Sequence, residues 1–379
     1  MATDPFGEIP LFRELNKLLS ASEGPVNFEI ARQVADAIAA EGGTRKLQPN
    51  EHSAFDETVH ECSLVLAGYT RLSPEEPPLA RAVDRSTWVA STLHSWRWLL
   101  EHLSKRVSEG MEAVSDQVEG AAGMQAVVAQ IAPLLLGIQA GTMVGHLARE
   151  ALGRFDPLIP RDDDGRLIFV VPNIEQLAAD YTLDLAMLRR WLALNDTARK
   201  LVVAESGWIA PYFRSLFVEL LDSVEVDSSD LERRLMEMQA RGPEALEEGF
   251  NLDELIPIVH TERHTKAVAR IRAFGALVLG YSKHAASVVG EEIVGAFAKL
   301  EEGMARHEVA STAGRAILQG VLGVEFDRKL ETSGSTFCAA IVSLKDIETL
   351  NRVWEAPDNL PTLDEIKDPF AWIERVVDE

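Results

Sequence analysis

Apolar positions recur at intervals of three and four along most of the chain, which is the period of an α-helix. Leu11, Phe12, Leu15, Leu18 and Leu19 predict a helix within Pro10–Leu19, and Phe28–Ala40 is a second amphipathic stretch. Trp88–Val107 is a third, anchored by Trp88, Trp96 and Trp98. Those tryptophans read as core rather than as a ligand platform. Gly120–Gly153 predicts a buried helix that breaks near Pro133, because proline lacks the N–H a helix interior needs. Leu183–Ala204 and Val268–Leu300 are strong helical patterns with few breakers.

Strand signals are sparse. Arg166–Pro172 is a short β-branched run between the acidic turn Asp162–Gly165 and a proline, and predicts one short strand. Phe337–Val342 reads as helix. Loops are expected at 42–50, 72–79, 154–165, 224–230 and 242–251. In the tail, Pro357, Pro361 and Pro369 bracket a short helix, and Trp372 heads a last one. The fold class is mainly α, with at most a few short strands.

Gly120–Ala148 carries no formal charge and is long enough to span a bilayer. Gln125, Gln130, Pro133, Gln139 and His146 interrupt it, so a buried soluble helix is expected. Gly137, Gly141 and Gly145 repeat every four residues and permit close helix packing. The chain opens without a basic segment followed by an apolar one, so a cytoplasmic location is expected.

Charge narrows the partners. Across 379 residues, 37 Lys+Arg face 60 Asp+Glu, a net −23. That field repels phosphate backbones and anionic lipid, which argues against nucleic-acid and membrane partners. Cys62 and Cys338 read as ordinary thiols of a reducing compartment.

Within Leu183–Ala204 the apolar face runs Leu185, Leu188 and Leu192, then Asn195, Arg199 and Val202. Two polar side chains therefore fall on the inward stripe. Buried polar groups need partners, and Asp196 stands three residues before Arg199, within ion-pair reach. A polar constellation facing inward at mid-helix follows. By itself this fits a structural ion pair at a helix–helix contact.

Longer stretches carry a resemblance: PFGEIPLFREL and EGPVNFEIARQVA near the start, then VGHLAREALGRFDPLIP and LIFVVPNIEQLAADYTLDLAMLRRWLAL, then GWIAPYF, LQGVLGVEFDRKLETSGSTF, LNRVWEAPDNLPTLDEI and DPFAWIERV. Together they resemble the zincin-like metallopeptidase type 2 family, hydrolases of actinobacteria and Chloroflexi whose substrates are unknown. The resemblance implies a zincin-like helical fold. It divides into an N-terminal helical region, 1–115, and a zincin-like region, 116–379, within one continuous unit. It also implies a zinc-binding HExxH helix, in which two His at i and i+4 chelate zinc and the Glu activates water. A later helix would supply an acidic ligand.

This chain departs at each of those positions. Asn195 stands where the family has the first His, Asp196 where it has the Glu, and Arg199 where it has the second His. The later acidic position is Ser282, beside His284. Arg199 brings a permanent positive charge to the place of the metal. The expectation is a pseudoenzyme with no metal cofactor, which binds a peptide or protein partner through a cleft holding Arg199 and His284. The alternative is an active hydrolase with zinc relocated to His260, His264 and His284, since His260 and His264 stand four apart. A third reading is purely structural: a homo-oligomeric or complex-forming subunit whose former active site is filled. No G-x-S-x-G elbow, P-loop or dinucleotide fingerprint occurs.

Overall fold

The computed structural model describes residues 24–43, 45–72, 76–115, 122–226, 233, 258–259, 261–294, 297–310 and 313–378. The helix expected at Pro10–Leu19, the loop at 242–251 and His260 lie outside them. In chain order come α1 (Phe28–Ala39), α2 (Asp56–Thr70), β1 (Ala80–Val83), α3 (Arg85–Ser95), α4 (Arg97–Ser115) and α5 (Ala122–Glu150). Next are β2 (Leu167–Val170), α6 (Val171–Asp180), α7 (Leu185–Ala204), α8 (Ile209–Asp222), β3 (Glu225–Val226) and β4 (Ile258–Val259). The remainder is α9 (Glu262–Ile293), α10 (Phe297–Ala310), α11 (Ala313–Leu322), α12 (Arg328–Leu344) and three short helices, Ile347–Asn351, Leu363–Lys367 and Pro369–Val376. The fold is mainly α, as the periodicity predicts.

Short polar side chains start the helices. Asn27, Asp84, Asp184, Thr261 and Asp327 each accept a hydrogen bond from a backbone N–H of the first turn they precede. Such caps satisfy donors that have no partner inside the helix. The acidic turn before β2 works in the same local way: Asp163 accepts from the Gly165 N–H and Asp164 from the Arg166 N–H.

Several boundaries differ from expectation. The helix predicted from Trp88 divides at Trp96 into α3 and α4. α5 runs on through Pro133 instead of breaking there. Gly137, Gly141 and Gly145 seat α5 directly on α1, where added β-carbons would press on the backbone or side chains of Asn27, Ala31, Val34, Ala35 and Ile38. The Pro133 carbonyl also accepts the Asn27 N–H at 2.8 Å. That tertiary contact, with the glycine packing beside it, offsets part of the cost of the helical bond the proline removes. α9 starts earlier than predicted and stops at Ile293, with α10 beginning separately. Trp372 lies inside the last helix rather than at its head.

β2 forms where expected, and its partner was missed. Ala80–Val83 pairs with it in parallel, Ala80 opposite Leu167 and Val83 opposite Val170. Two alanines and an arginine carry little strand propensity, so this strand exists through pairing and burial. β3 and β4 form an antiparallel pair of two residues each.

Two apolar clusters form the core. One gathers Trp88, Trp96, Phe217, Phe337 and Trp372. The other gathers Phe55, Phe169, Leu188 and Leu194, with Phe55 and Phe169 stacked at 4.0 Å between ring centroids. Trp88 and Trp96 are fully buried and meet edge to face, while Trp98 is half-buried under the Arg214 guanidinium. Cys62 and Cys338 are buried free thiols.

α7 lies against both α2 and α9 and is buried on all sides from Trp191 to Ala198. α9 in turn crosses α12 at Gly280 and Gly334. A β-carbon on Gly334 would collide with the Ala276 carbonyl, and one on Gly280 with the Gly334–Ser335 peptide. Backbone therefore touches backbone at this crossing. Among the described residues, no helix is long and apolar enough to cross a membrane.

Candidate functional site

The inward stripe of α7 carries Asn195, Asp196 and Arg199 into one small cleft, as the helical spacing predicts. Asn195 turns its amide back along the helix and donates to the Trp191 carbonyl at 2.9 Å. Asp196 faces across to the turn after α5. Its Oδ2 accepts the Arg154 N–H at 3.2 Å, and its Oδ1 accepts from Arg199 Nη1 at 2.9 Å. Arg154 is held in turn by Asp163, 2.7 Å from its Nη1.

Arg199 reaches a second carboxylate across the cleft, with Nη2 3.8 Å from Glu331 Oε1 on α12. Lys283 of α9 closes the network, its Nζ 3.1 Å from Glu331 and 3.6 Å from Glu301. Asp156 sits behind Asp196, where its Oδ2 accepts the N–H groups of Leu152 and Gly153. The result is a chain of alternating charges between α7, α9, α10, α12 and the 152–156 turn.

Burial dominates the titration of this group. It pushes the Asp196 carboxyl up to about 7, with Asp156 adding to the rise and Arg199 and the Arg154 N–H opposing it. Burial would also lower Arg199, but Asp196, Asp156 and Glu331 together hold its guanidinium above the ordinary value. Arg199 is thus a fixed cation wedged among three carboxylates.

The remaining candidates disperse. Ser282 is fully buried and donates to the Val278 carbonyl of its own helix at 2.7 Å. His284 leaves the cleft and pairs through Nε2 with the Tyr69 hydroxyl at 2.7 Å, and burial lowers its pKa. His264 is buried in the first turn of α9, with Nδ1 3.2 Å from the Ser223 hydroxyl. His264 and His284 stand twenty residues apart on one continuous helix, about 30 Å along its axis. The relocated ligand set is therefore not assembled by these two residues. Among the described residues, no group of three His, Cys, Asp or Glu side chains is placed to hold a metal ion.

The three α7 positions that the resemblance aligns with HExxH do not fit zinc. Zinc needs deprotonated N, O or S ligands. Here one position is an amide committed to a backbone carbonyl, one a carboxylate committed to a guanidinium, and one that guanidinium itself. Lys283 adds a second cation on the facing helix.

Sequence reasoning finds Asp196–Arg199 and misses Glu331, Lys283 and Asp156. Glu331 looks like an ordinary first-turn acid behind the Asp327 cap, a common helix signature. Its role exists only because α12 crosses α9.

The sequence profile of the zincin-like metallopeptidase family matches residues 26–373. The crystal structure of a "putative hydrolase with a novel fold" from Chloroflexus aurantiacus superimposes with a TM-score of 0.67 at 22% identity, covering 93% of this chain and 99% of that one. That likeness carries the fold. No curated protein matches the chain.

Proposed function

The chain belongs to the zincin-like metallopeptidase family, and we propose that it is a non-catalytic member which acts by binding a peptide or protein partner. One observation carries the reading. Arg199, on the stripe where the resemblance places the second zinc-binding His, bonds Asp196 at 2.9 Å and approaches Glu331 at 3.8 Å. A guanidinium there supplies the positive charge that the surrounding carboxylates require, and supplies no lone pair, bound water or Lewis acidity. The cleft keeps its walls and loses its means of activating water.

The size of the cleft bears on what it can hold. It encloses about 60 Å³, less than half the roughly 150 Å³ of a cavity that takes benzene. A side-chain tip or chain end fits it, and an extended peptide does not.

Elemental analysis tests the reading. The protein is purified without an affinity tag, measured, then exposed to zinc and dialysed. The expected result is folded protein without retained zinc and without chelator-sensitive peptidase activity. Near-stoichiometric zinc would overturn the proposal.

A further inference from the structure

We propose that the cleft is a carboxylate-binding site in which Arg315 and Arg328 receive a free carboxylate group. This rests on the reading that the cleft binds rather than catalyses, and it names the chemistry bound.

Most of the cleft's own carboxylate oxygens already have donors. Asp196 has Arg199 and the Arg154 N–H. Glu331 has Lys283 and Arg199, and Glu301 has Lys283. Asp156 has the backbone N–H groups of Leu152 and Gly153, and Glu150 Oε1 has the Gly314 N–H at 3.4 Å. The charges of Arg199 and Lys283 are already matched by these carboxylates, so neither is the natural receptor for the charge of an added anion.

Arg315 and Arg328 differ. Both line the cleft, and neither makes an ion pair or hydrogen bond among the described residues. Arg328 is exposed and Arg315 half-buried, so together they reach from solvent into the cleft. In a chain with 60 acidic and 37 basic residues, these two cations line a cleft rich in carboxylates and still form no ion pair among the described residues.

A second, independent observation lies deeper. Arg199 and Trp191 also line the cleft, and Arg199 Nε and Trp191 Nε1 are buried without an acceptor. An unmade bond at a buried donor costs on the order of 1–3 kcal/mol. Two such donors inside and two unmatched guanidiniums toward solvent call for a ligand that only accepts hydrogen bonds and carries negative charge. Arginine recognises planar carboxylates in bidentate fashion, and the cavity volume admits a carboxylate with one or two carbons. The cleft's own carboxylates oppose that ligand, above all Glu150 Oε2, which is buried without a partner.

Sodium acetate is the probe, titrated calorimetrically against metal-free protein at constant ionic strength in chloride. Acetate should bind in the millimolar range. The double variant Arg315→Ala, Arg328→Ala should weaken it at least tenfold, and Glu150→Gln should tighten it several-fold. Peptides with a free or amidated C-terminus, and with or without an internal Glu, then separate a chain end from an acidic side chain. Acetate binding no better than chloride, or unchanged in the double variant, would overturn the inference. Zinc content of the same preparation is read separately, so retained zinc defeats the non-catalytic reading and leaves the carboxylate result to stand or fall by itself.

Discussion

A β-carbon on Gly153 would collide with Oδ2 of Asp196. The turn after α5 approaches α7 so closely that only hydrogen fits between them. The adjacent Arg154 N–H can thereby reach the same carboxylate oxygen. Gly153→Ala must move either the turn or Asp196, at an expected cost of about 2–4 kcal/mol. Urea unfolding of Gly153→Ala, Asp196→Ala and the pair checks this. The two effects should be non-additive by more than about 0.5 kcal/mol, and simple additivity would show that the contact carries no strain.

Asp196 makes stability depend on pH with an unusual sign. Its carboxyl titrates near 7 in the folded protein, raised chiefly by burial. An unfolded aspartate titrates near 3.9. Between roughly pH 4 and 7 the native state therefore binds more protons than the unfolded one, and this group's contribution to stability falls as pH rises. Asp163 and Glu365 have lowered values and act in the opposite direction. The difference between wild type and Asp196→Asn isolates the effect: its unfolding midpoints should lose ground less steeply from pH 5 to pH 8. Parallel curves would mean that Asp196 stays ionised throughout.

Arg199 is the keystone of the charge network. Its removal strands Asp196, Asp156 and Glu331 around a missing cation. Arg199→Ala should cost about 3–5 kcal/mol, the usual penalty for leaving a buried charge uncompensated. Adding Glu331→Gln to that variant should restore part of the loss. Equilibrium unfolding of the three proteins decides the matter.

The same cation defines a gain-of-function experiment. Asn195→His with Arg199→His places two imidazoles at i and i+4 on α7, with Asp196 beside them. Zinc would then replace the charge that Arg199 supplied. This variant should bind zinc at least a hundredfold more tightly than wild type, and its melting temperature should rise with zinc concentration. A variant that folds and ignores zinc would show that the helix no longer presents the chelating geometry.

Much of this site can be read from the sequence because it lies on one helix. The three- and four-residue spacing on α7 places Asn195 and Arg199 inward, and the spacing of three joins Asp196 to Arg199. Small residues at every fourth position likewise foretell a close helix contact for α5, though not that α1 makes it. Pro133 misleads because the packing that overrides its local preference comes from a distant segment. β1 is invisible because Ala80-Arg81-Ala82-Val83 has no strand pattern until β2 lies beside it. Glu331, Lys283 and Asp156 escape for the same reason: their partners lie on other elements of the fold or are backbone groups of a turn. Periodicity reports which face is buried, and only the tertiary crossing says against what.

The glycine crossing of α9 and α12 also sets the mechanics of the cleft. Gly280 and Gly334 touch one turn away from Lys283 and Glu331 respectively, and those two side chains bond at 3.1 Å. With no side chains between the helices, the crossing behaves as a fulcrum of very short arm. Pivoting there would change the Lys283–Glu331 separation by little, so the cleft has a fixed gauge. On the binding reading proposed above, a ligand would be selected by what fits, with little leverage to pry the cleft wider.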